Sequence, residues 1–471
     1  MKKFFLLLTS FFGILLVVLI AGIYFLSSFI TPDLVVRQLE ASLNCRAEIQ
    51  KININLLSLF SSIEVQGIKV GKRDLLADKG TPLKERKPLE NEILGIKSVD
   101  LQLSLLPLLE KRFEVKKFIL QDMNANIVLK ENGGTNLNTL FTMPKVVNGK
   151  LNPALDPKEA EKDKANESKE AEKPFNIKEL PIAAKLEQIG LKNAGINIYV
   201  QKTSQFLKIS TLDLVIGFID VNPKDLENHN SIDFTSSSQL LVLNRKKEEL
   251  SKFLLASNGK VAPFDSKTGG INPMLNFKLK LLKGSYVTAM AAFDALNSQL
   301  QGLLSSDMKS LSEKAELEED ASFQASYGHG VLTFKDDIRL PTKHYTMSLK
   351  KESWIQVTNN QHLFHADMTF SRNDSKPLID SIQTSLKTAQ LSEENLKKIQ
   401  DKILSGFIKE DMLFLTFKSS GNVANPDLSI VSPLPSLKDI LKDALSEGLK
   451  DKFQEELKKN LPGVDSLKKL F

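Results

Sequence analysis

Between Val99 and Leu129 apolar residues keep falling at every second position, and this period of two constrains the fold more than any motif does. Leu101, Leu103 and Leu105 alternate with polar residues; Phe118 and Leu120 close a second run, and Ala125, Ile127 and Leu129 mark a third. A strand sends successive side chains to opposite faces, so such alternation predicts half-buried strands, here three in a row. The same period comes earlier, in Ile52, Ile54 and Leu56 and then in Ile63 and Val65. There Gly67 stands where a bulge would shift the phase to Ile68 and Val70. It resumes beyond residue 176 in "GINIYV", "STLDLVIGFIDV" and "SIDFTSSSQLLVL", with Leu212, Leu214 and Ile216 on one face. "NFKLKLL" places Phe277, Leu279 and Leu281 together, and "HLFHADMTFS" does the same for Phe364 and Met368. With the later stretches "ASFQASYGHGVLTF", "HYTMSLKKESWIQV", "DMLFLTFKSSG" and "NPDLSIV", about a dozen to sixteen strands are expected. The fold class is mainly β.

Few segments break that period. After Lys2 and Lys3 the next charged residue is Asp33. Residues 4–30 are thus long enough to cross a hydrocarbon core, which takes about 20 apolar residues. The leading positive pair keeps the N-terminus cytoplasmic and exports the rest. A cleaved signal peptide has a shorter apolar core and a small-residue cleavage site, and neither is found here, so residues 1–31 are expected to be a stub and an uncleaved single-pass anchor. Residues 33–43, "DLVVRQLEASL", read as a short helix started by Pro32 and Asp33. The charged run "PKEAEKDKANESKEAEKP" at 157–174 has no large apolar residue to bury, which predicts a solvated linker or loop within 145–175. Helical insertions are expected at about 284–314 and 376–408, and an amphipathic helix over 431–471.

Reactive chemistry is sparse. With 63 Lys and Arg against 57 Asp and Glu, the net charge of +6 is too mild for a nucleic-acid binder, though it suits anionic headgroups. His362 and His365 are three apart on a strand pattern and so face opposite ways, which predicts no metal site. "NGG" at 132–134 and "TGG" at 268–270 read as turns rather than phosphate cradles. Cys45, the single cysteine, excludes an intramolecular disulfide and reads as a small, half-buried residue. No cofactor and no enzymatic activity are expected.

The order of anchor, short helix, "KININLLSLFSSIEVQGIKVG" and "VDLQLSLLPLLEKRFEVKKFILQDMNANIVLKENGGTNL" resembles the AsmA family of bacterial envelope proteins. The resemblance rests on the strand ending in Leu105, Leu106, Pro107, Leu108 and Leu109, on Phe113 to Leu120, on the turn with Gly133, Gly134 and Asn136, and on "GNVANPDLSIV" from Gly421. Leu137 stands where the family often has an aromatic residue. The resemblance implies an elongated, strongly curved antiparallel sheet forming an apolar groove for phospholipid. The groove would begin within 32–144 and continue through 176–430. It also implies a periplasmic protein of the bacterial inner membrane that serves outer-membrane lipid homeostasis, reaching the outer membrane or a protein in it. On that reading the apolar residues named above line the groove, and a charge at Leu103 or Leu279 blocks lipid loading while the sheet still folds. Periodicity alone leaves a second possibility, a closed β-sandwich acting as an envelope assembly or scaffolding factor for outer-membrane proteins.

Overall fold

The computed structural model describes residues 31–55, 60–73, 83–104, 113–140, 146–147, 150–151, 176–179, 184–288, 314–377, 379–380, 397, 406, 408–422 and 425–431. The chain is mainly β, with 64 % of the described residues in strands and few helices among them. It divides into two compact units, one holding residues 1–249 and 255–275, the other 250–254 and 276–471. Among the described residues no helix is long and apolar enough to cross a membrane. The expected anchor at 1–30, most of the 145–175 linker, and the tail from 432 onward lie outside them.

The first unit opens with helix α1 (Pro32–Ser42), whose N-cap Thr31 accepts a hydrogen bond from the Leu34 amide at 3.2 Å. β1 (Cys45–Glu48) and β2 (Lys51–Asn55) both lie antiparallel to β3 (Phe60–Lys72), which pairs with β4 (Glu92–Ser104), itself paired with β5 (Phe113–Leu129). After β5 the chain turns at Lys130–Gly134 and passes through a 3-10 turn, Leu137–Leu140. A small hairpin of β6 (Val146–Val147) and β7 (Lys150–Leu151) follows. β8 (Ala184–Leu186) and β9 (Ile189–Val200) then pair with β5 in parallel. This corrects the all-antiparallel expectation. The long connection carries the chain back to the start of β5, and parallel pairing needs such a crossover. β10 (Gln205–Val221) and β11 (Asn230–Leu243) continue antiparallel, and β12 (Glu249–Phe264) and β13 (Ile271–Leu281) follow.

Five neighbouring strands of this unit share a break in their alternation. Apolar residues change parity across Gln66–Gly67 in β3, Lys97–Ser98 in β4, Gln121–Asp122 in β5, Lys192–Asn193 in β9 and Ser210–Thr211 in β10. The registers line these breaks up: Gln66 pairs with Ser98, Ser98 with Gln121, and Gln121 with Lys192, while Ala194 pairs with Leu212. Four of the strands carry a positive φ there, at Gly67 (64°), Asp122 (49°), Asn193 (51°) and Thr211 (50°). Each kink turns the backbone so that the apolar side chains before and after it share one face. The bulge expected at Gly67 is therefore one element of a crease across the sheet. The crease also explains why 99–129 holds two strands rather than three: the runs around Leu120 and Ile127 are one strand kinked at Asp122.

In the second unit β14 (Tyr286–Val287) pairs with Ser251 and Lys252 of β12 and with β15 (Ala315–Glu316). Tyr286 thus begins a strand pairing rather than the helix expected from 284, because Gly284 at φ 84° turns the chain first; residues 289–313 lie outside the described residues. β16 (Ala321–Gly328) and β17 (Val331–Phe334) form a hairpin around His329 and Gly330, both at positive φ as a two-residue turn of this kind requires. β18 (Ile338–Pro341), β19 (Tyr345–Leu349), β20 (Trp354–Gln356) and β21 (Gln361–Phe370) follow, with β19 and β20 both on β21. Residues 372–377 are helical, and most of the second expected insertion, 376–408, lies outside the described residues. β22 (Ile408–Lys409), β23 (Met412–Asn422) and β24 (Asn425–Ile430) close the described chain, β23 pairing with both β21 and β24. Ala366, Met368 and Phe370 are buried with Leu413, Leu415 and Phe417.

Candidate binding face

Strand registers in the first unit assemble the alternating residues into rows. One row runs Ile63, Leu101, Phe118, Ile189, Ile216, Phe234 across β3, β4, β5, β9, β10 and β11, each residue directly opposite the next. A second runs Val65, Val99, Leu120, Leu191, Leu214, Ser236. Beyond the crease, Val70, Leu94, Ala125, Ile196, Ile209 and Leu240 make a third, and Ile127, Ile198, Leu207 and Val242 a fourth. Directly paired residues share a face, so Ile63, Val65, Leu101, Leu103, Phe118, Leu120, Ile127, Leu129, Leu212, Leu214 and Ile216 come together on one apolar surface.

The two ends of these rows differ in what covers them. On β3 to β5 the surface is packed: Ile63 is 1 % exposed, Leu101 0 % and Phe118 5 %. Val35, Val36 and Leu39 of α1 and its C-cap Leu43 belong to the same cluster, as does Leu140 of the 3-10 turn. Polar bonds fix the cover in place. The Asn44 amide donates to the Leu140 carbonyl at 2.7 Å, and Arg86 grips the buried Glu40 carboxylate at 2.9 and 3.0 Å while the Ala47 amide donates to it at 3.0 Å. Along the same rows Ile189, Ile216 and Phe234 are only half-buried. From Gly195 to Leu275 Leu226, in the turn after β10, is the only buried hydrophobic residue among those described. Leu207, Ile209, Leu214, Leu240 and Val242 keep the alternation of a core face yet stay partly open. The opposite side of β10 shows Lys208, Asp213 and Val215 to solvent.

The reverse side of the crease is held by a polar ladder. Lys97 Nζ sits 3.1 Å from Asp122 Oδ2, the Asn193 side-chain amide donates to Asp122 Oδ1 at 2.6 Å, and the Asn193 backbone amide donates to Asp213 Oδ1 at 2.8 Å. The hydrogen bond from Asn193, then that from Lys97, holds the Asp122 carboxyl below the ordinary carboxylate range.

The remaining expected residues fall elsewhere. Ile52 and Ile54 pack at the edge of the covered cluster, and Leu56 and Leu105 lie outside the described residues. In the second unit Phe277, Leu279 and Phe364 pack against a cluster of Phe323, Ala325, Phe334 and Ile338; Met368 is fully buried and Leu281 half-buried. Leu103, at 1 % exposure, is core, so a charge there breaks the sheet rather than blocking a groove; this corrects the expectation. His362 and His365 do face opposite ways: His362 is buried, with Nδ1 2.9 Å from the Gly421 carbonyl oxygen and Nε2 2.7 Å from Ser419 Oγ, while His365 is exposed. The carbonyl oxygen can only accept, so Nδ1 carries the proton. Among the described residues no three His, Cys, Asp or Glu side chains gather to hold a metal. Cys45 is fully buried rather than half-buried, and burial, with the nearby Glu40 charge, pushes its thiol up to about 12, which leaves it a poor nucleophile.

Neither a scan against protein-family models nor a search of curated proteins finds a match to this chain.

Sequence reading missed four of the five kinks and all of β12. The kinks leave a usable signal, two polar residues in succession between apolar runs of opposite parity. In β12 the adjacent Leu254, Leu255 and Ala256, with Gly259 and Pro263, blur the alternation.

Proposed function

We propose that this chain binds phospholipid acyl chains on the half-exposed face of β9 to β11 and transfers them along an apolar groove, as a non-enzymatic, membrane-anchored protein of the bacterial envelope like the AsmA proteins it resembles. One observation carries the reading: apolar rows that are core on β3 to β5 continue across β9, β10 and β11, where their side chains are only half-buried and no described element packs over them. An exposed contiguous apolar surface calls for a binding partner. The period of two suits acyl chains, which need a smooth hydrocarbon track and no directional bonds. Each methylene moved from water onto such a track contributes about 0.8 kcal/mol, so a chain of roughly fifteen stays bound without any specific contact. A sandwich would lay a second sheet over these rows, and their partial exposure speaks against that for β9 to β11.

Residues 32–471, exported without detergent and weighed by native mass spectrometry, test the proposal. Several phospholipids per chain are expected. A folded, lipid-free mass would overturn it and turn attention to a protein client.

A further inference from the structure

The half-exposed strands end in two rims of opposite charge. Phe206 pairs with Tyr199 on one side and with Leu243 on the other, so the β9–β10 turn (201–204) and the β11–β12 turn (244–248) share one end of the sheet. Those turns carry Lys202, Arg245, Lys246 and Lys247 against Glu248 alone, a net +3, and all five are exposed. The other end is set by Val221 opposite Asn230, and by the Asn230 side-chain amide donating to the Phe264 carbonyl at 2.7 Å. Its turns, 222–229 and 265–270, carry Lys224 and Lys267 against Asp225, Glu227 and Asp265, a net −1. Asp265 is further held in its charged form by hydrogen bonds from Thr268.

The apolar rows run up to the basic end. Leu207 and Val242 lie within three residues of the turns, while on the other side of the same strand ends, the side of Lys208, Tyr199 and Phe206 stack with ring centroids 4.8 Å apart. The Lys247 ammonium lies 5.7 Å from the centre of the Phe206 ring. Exposed cations in the turns where apolar rows end, with an aromatic pair on the reverse side of the same strand ends, match a bilayer interface, where phosphates meet hydrocarbon. We infer that the rim formed by 201–204 and 244–248 docks on an anionic phospholipid surface and is where lipid enters the β9 to β11 face. The inference rests on the proposed lipid-binding role. It adds a polarity: the acidic rim repels the same surface, so lipid enters at one end only.

The test uses the full chain held in neutral phosphatidylcholine nanodiscs and mixed with sedimentable vesicles. Vesicles with about 30 mol % phosphatidylglycerol should bring the protein down, purely phosphatidylcholine vesicles should not, and about 0.5 M salt should release it. The triple variant Arg245→Gln, Lys246→Gln, Lys247→Gln should weaken binding on the order of a hundredfold, since each basic residue near an anionic surface counts for about a factor of five. Lys224→Gln with Lys267→Gln should leave it unchanged. Equal binding by the triple variant, or equal binding to neutral vesicles, overturns the rim. Lipid extracted from the same protein separates the two claims: a triple variant that binds vesicles normally and still carries phospholipid sinks the rim and spares the lipid face, whereas no lipid in either protein sinks the face itself.

Discussion

The packed half of the apolar surface and the open half are made of the same residue types on the same rows. Leu101 and Ile216 are both aliphatic side chains on the row that begins at Ile63, yet the first is fully buried and the second half-open. The difference lies in what the chain lays on top. α1 and the 3-10 turn reach β3 to β5, anchored by Glu40, Arg86 and Asn44, and among the described residues the cluster they join extends no farther than Leu212 of β10. Strand alternation establishes that a face will be apolar; it does not say what will cover it. One apolar surface thus works as core at one end and, in our proposal, as a binding track at the other.

Charge separates the halves most sharply. Leu103→Glu puts a carboxylate among side chains with no partner for it and should cost more than about 4 kcal/mol, enough to prevent folding. Leu214→Glu should fold, because its side chain reaches water, and should lose bound lipid. Circular dichroism and lipid extraction on the two variants check this; equal folding of both would erase the distinction. Truncation sharpens it. Leu101→Ala should lose about 3 kcal/mol in a denaturant titration, and Leu39→Ala, on the covering helix, a similar amount, against less than about 1 kcal/mol for Leu214→Ala. The crease contributes less. Asn193→Ala removes the exposed donor to Asp122 and should lower the midpoint of the same titration by less than either core truncation, while Thr211→Gly, which relieves a β-branched residue at positive φ, should raise it. Because the Asp122 carboxyl is held low in the fold, its contribution is present above the ordinary carboxylate range and is lost as pH falls through its lowered value. Asp122→Asn should therefore flatten the acid limb of a stability profile. The smallest effect is chemical: native Cys45 should resist alkylation at pH 8 and react once the chain is unfolded, and prompt labelling of the native protein would contradict the burial described.

Much of this fold was legible in the sequence. Helix α1 begins where Pro32 and Asp33 place it, the face residues of β3 and β4 follow from alternation, and Gly67 announced its kink because glycine alone marks positive φ cheaply. Asp122, Asn193 and Thr211 adopt the same conformation without being glycine, so the long β5 read as two strands. The parallel β5–β9 junction was not legible, since register between strands some 70 residues apart leaves no local trace. Nor was the open half of the face. Leu103 and Leu214 look alike in the sequence, and only the position of α1 tells them apart.

The central claim is that the face of β9 to β11, and not its reverse, holds acyl chains. A photo-crosslinking amino acid placed singly at positions 207, 208, 209, 213 and 214 of the full chain in living cells tests it most directly. The account predicts phospholipid adducts at 207, 209 and 214 and none at 208 and 213, the two sides being offset across the kink at Thr211. Adducts on both sides alike, or protein adducts in place of lipid at 207, 209 and 214, would contradict it.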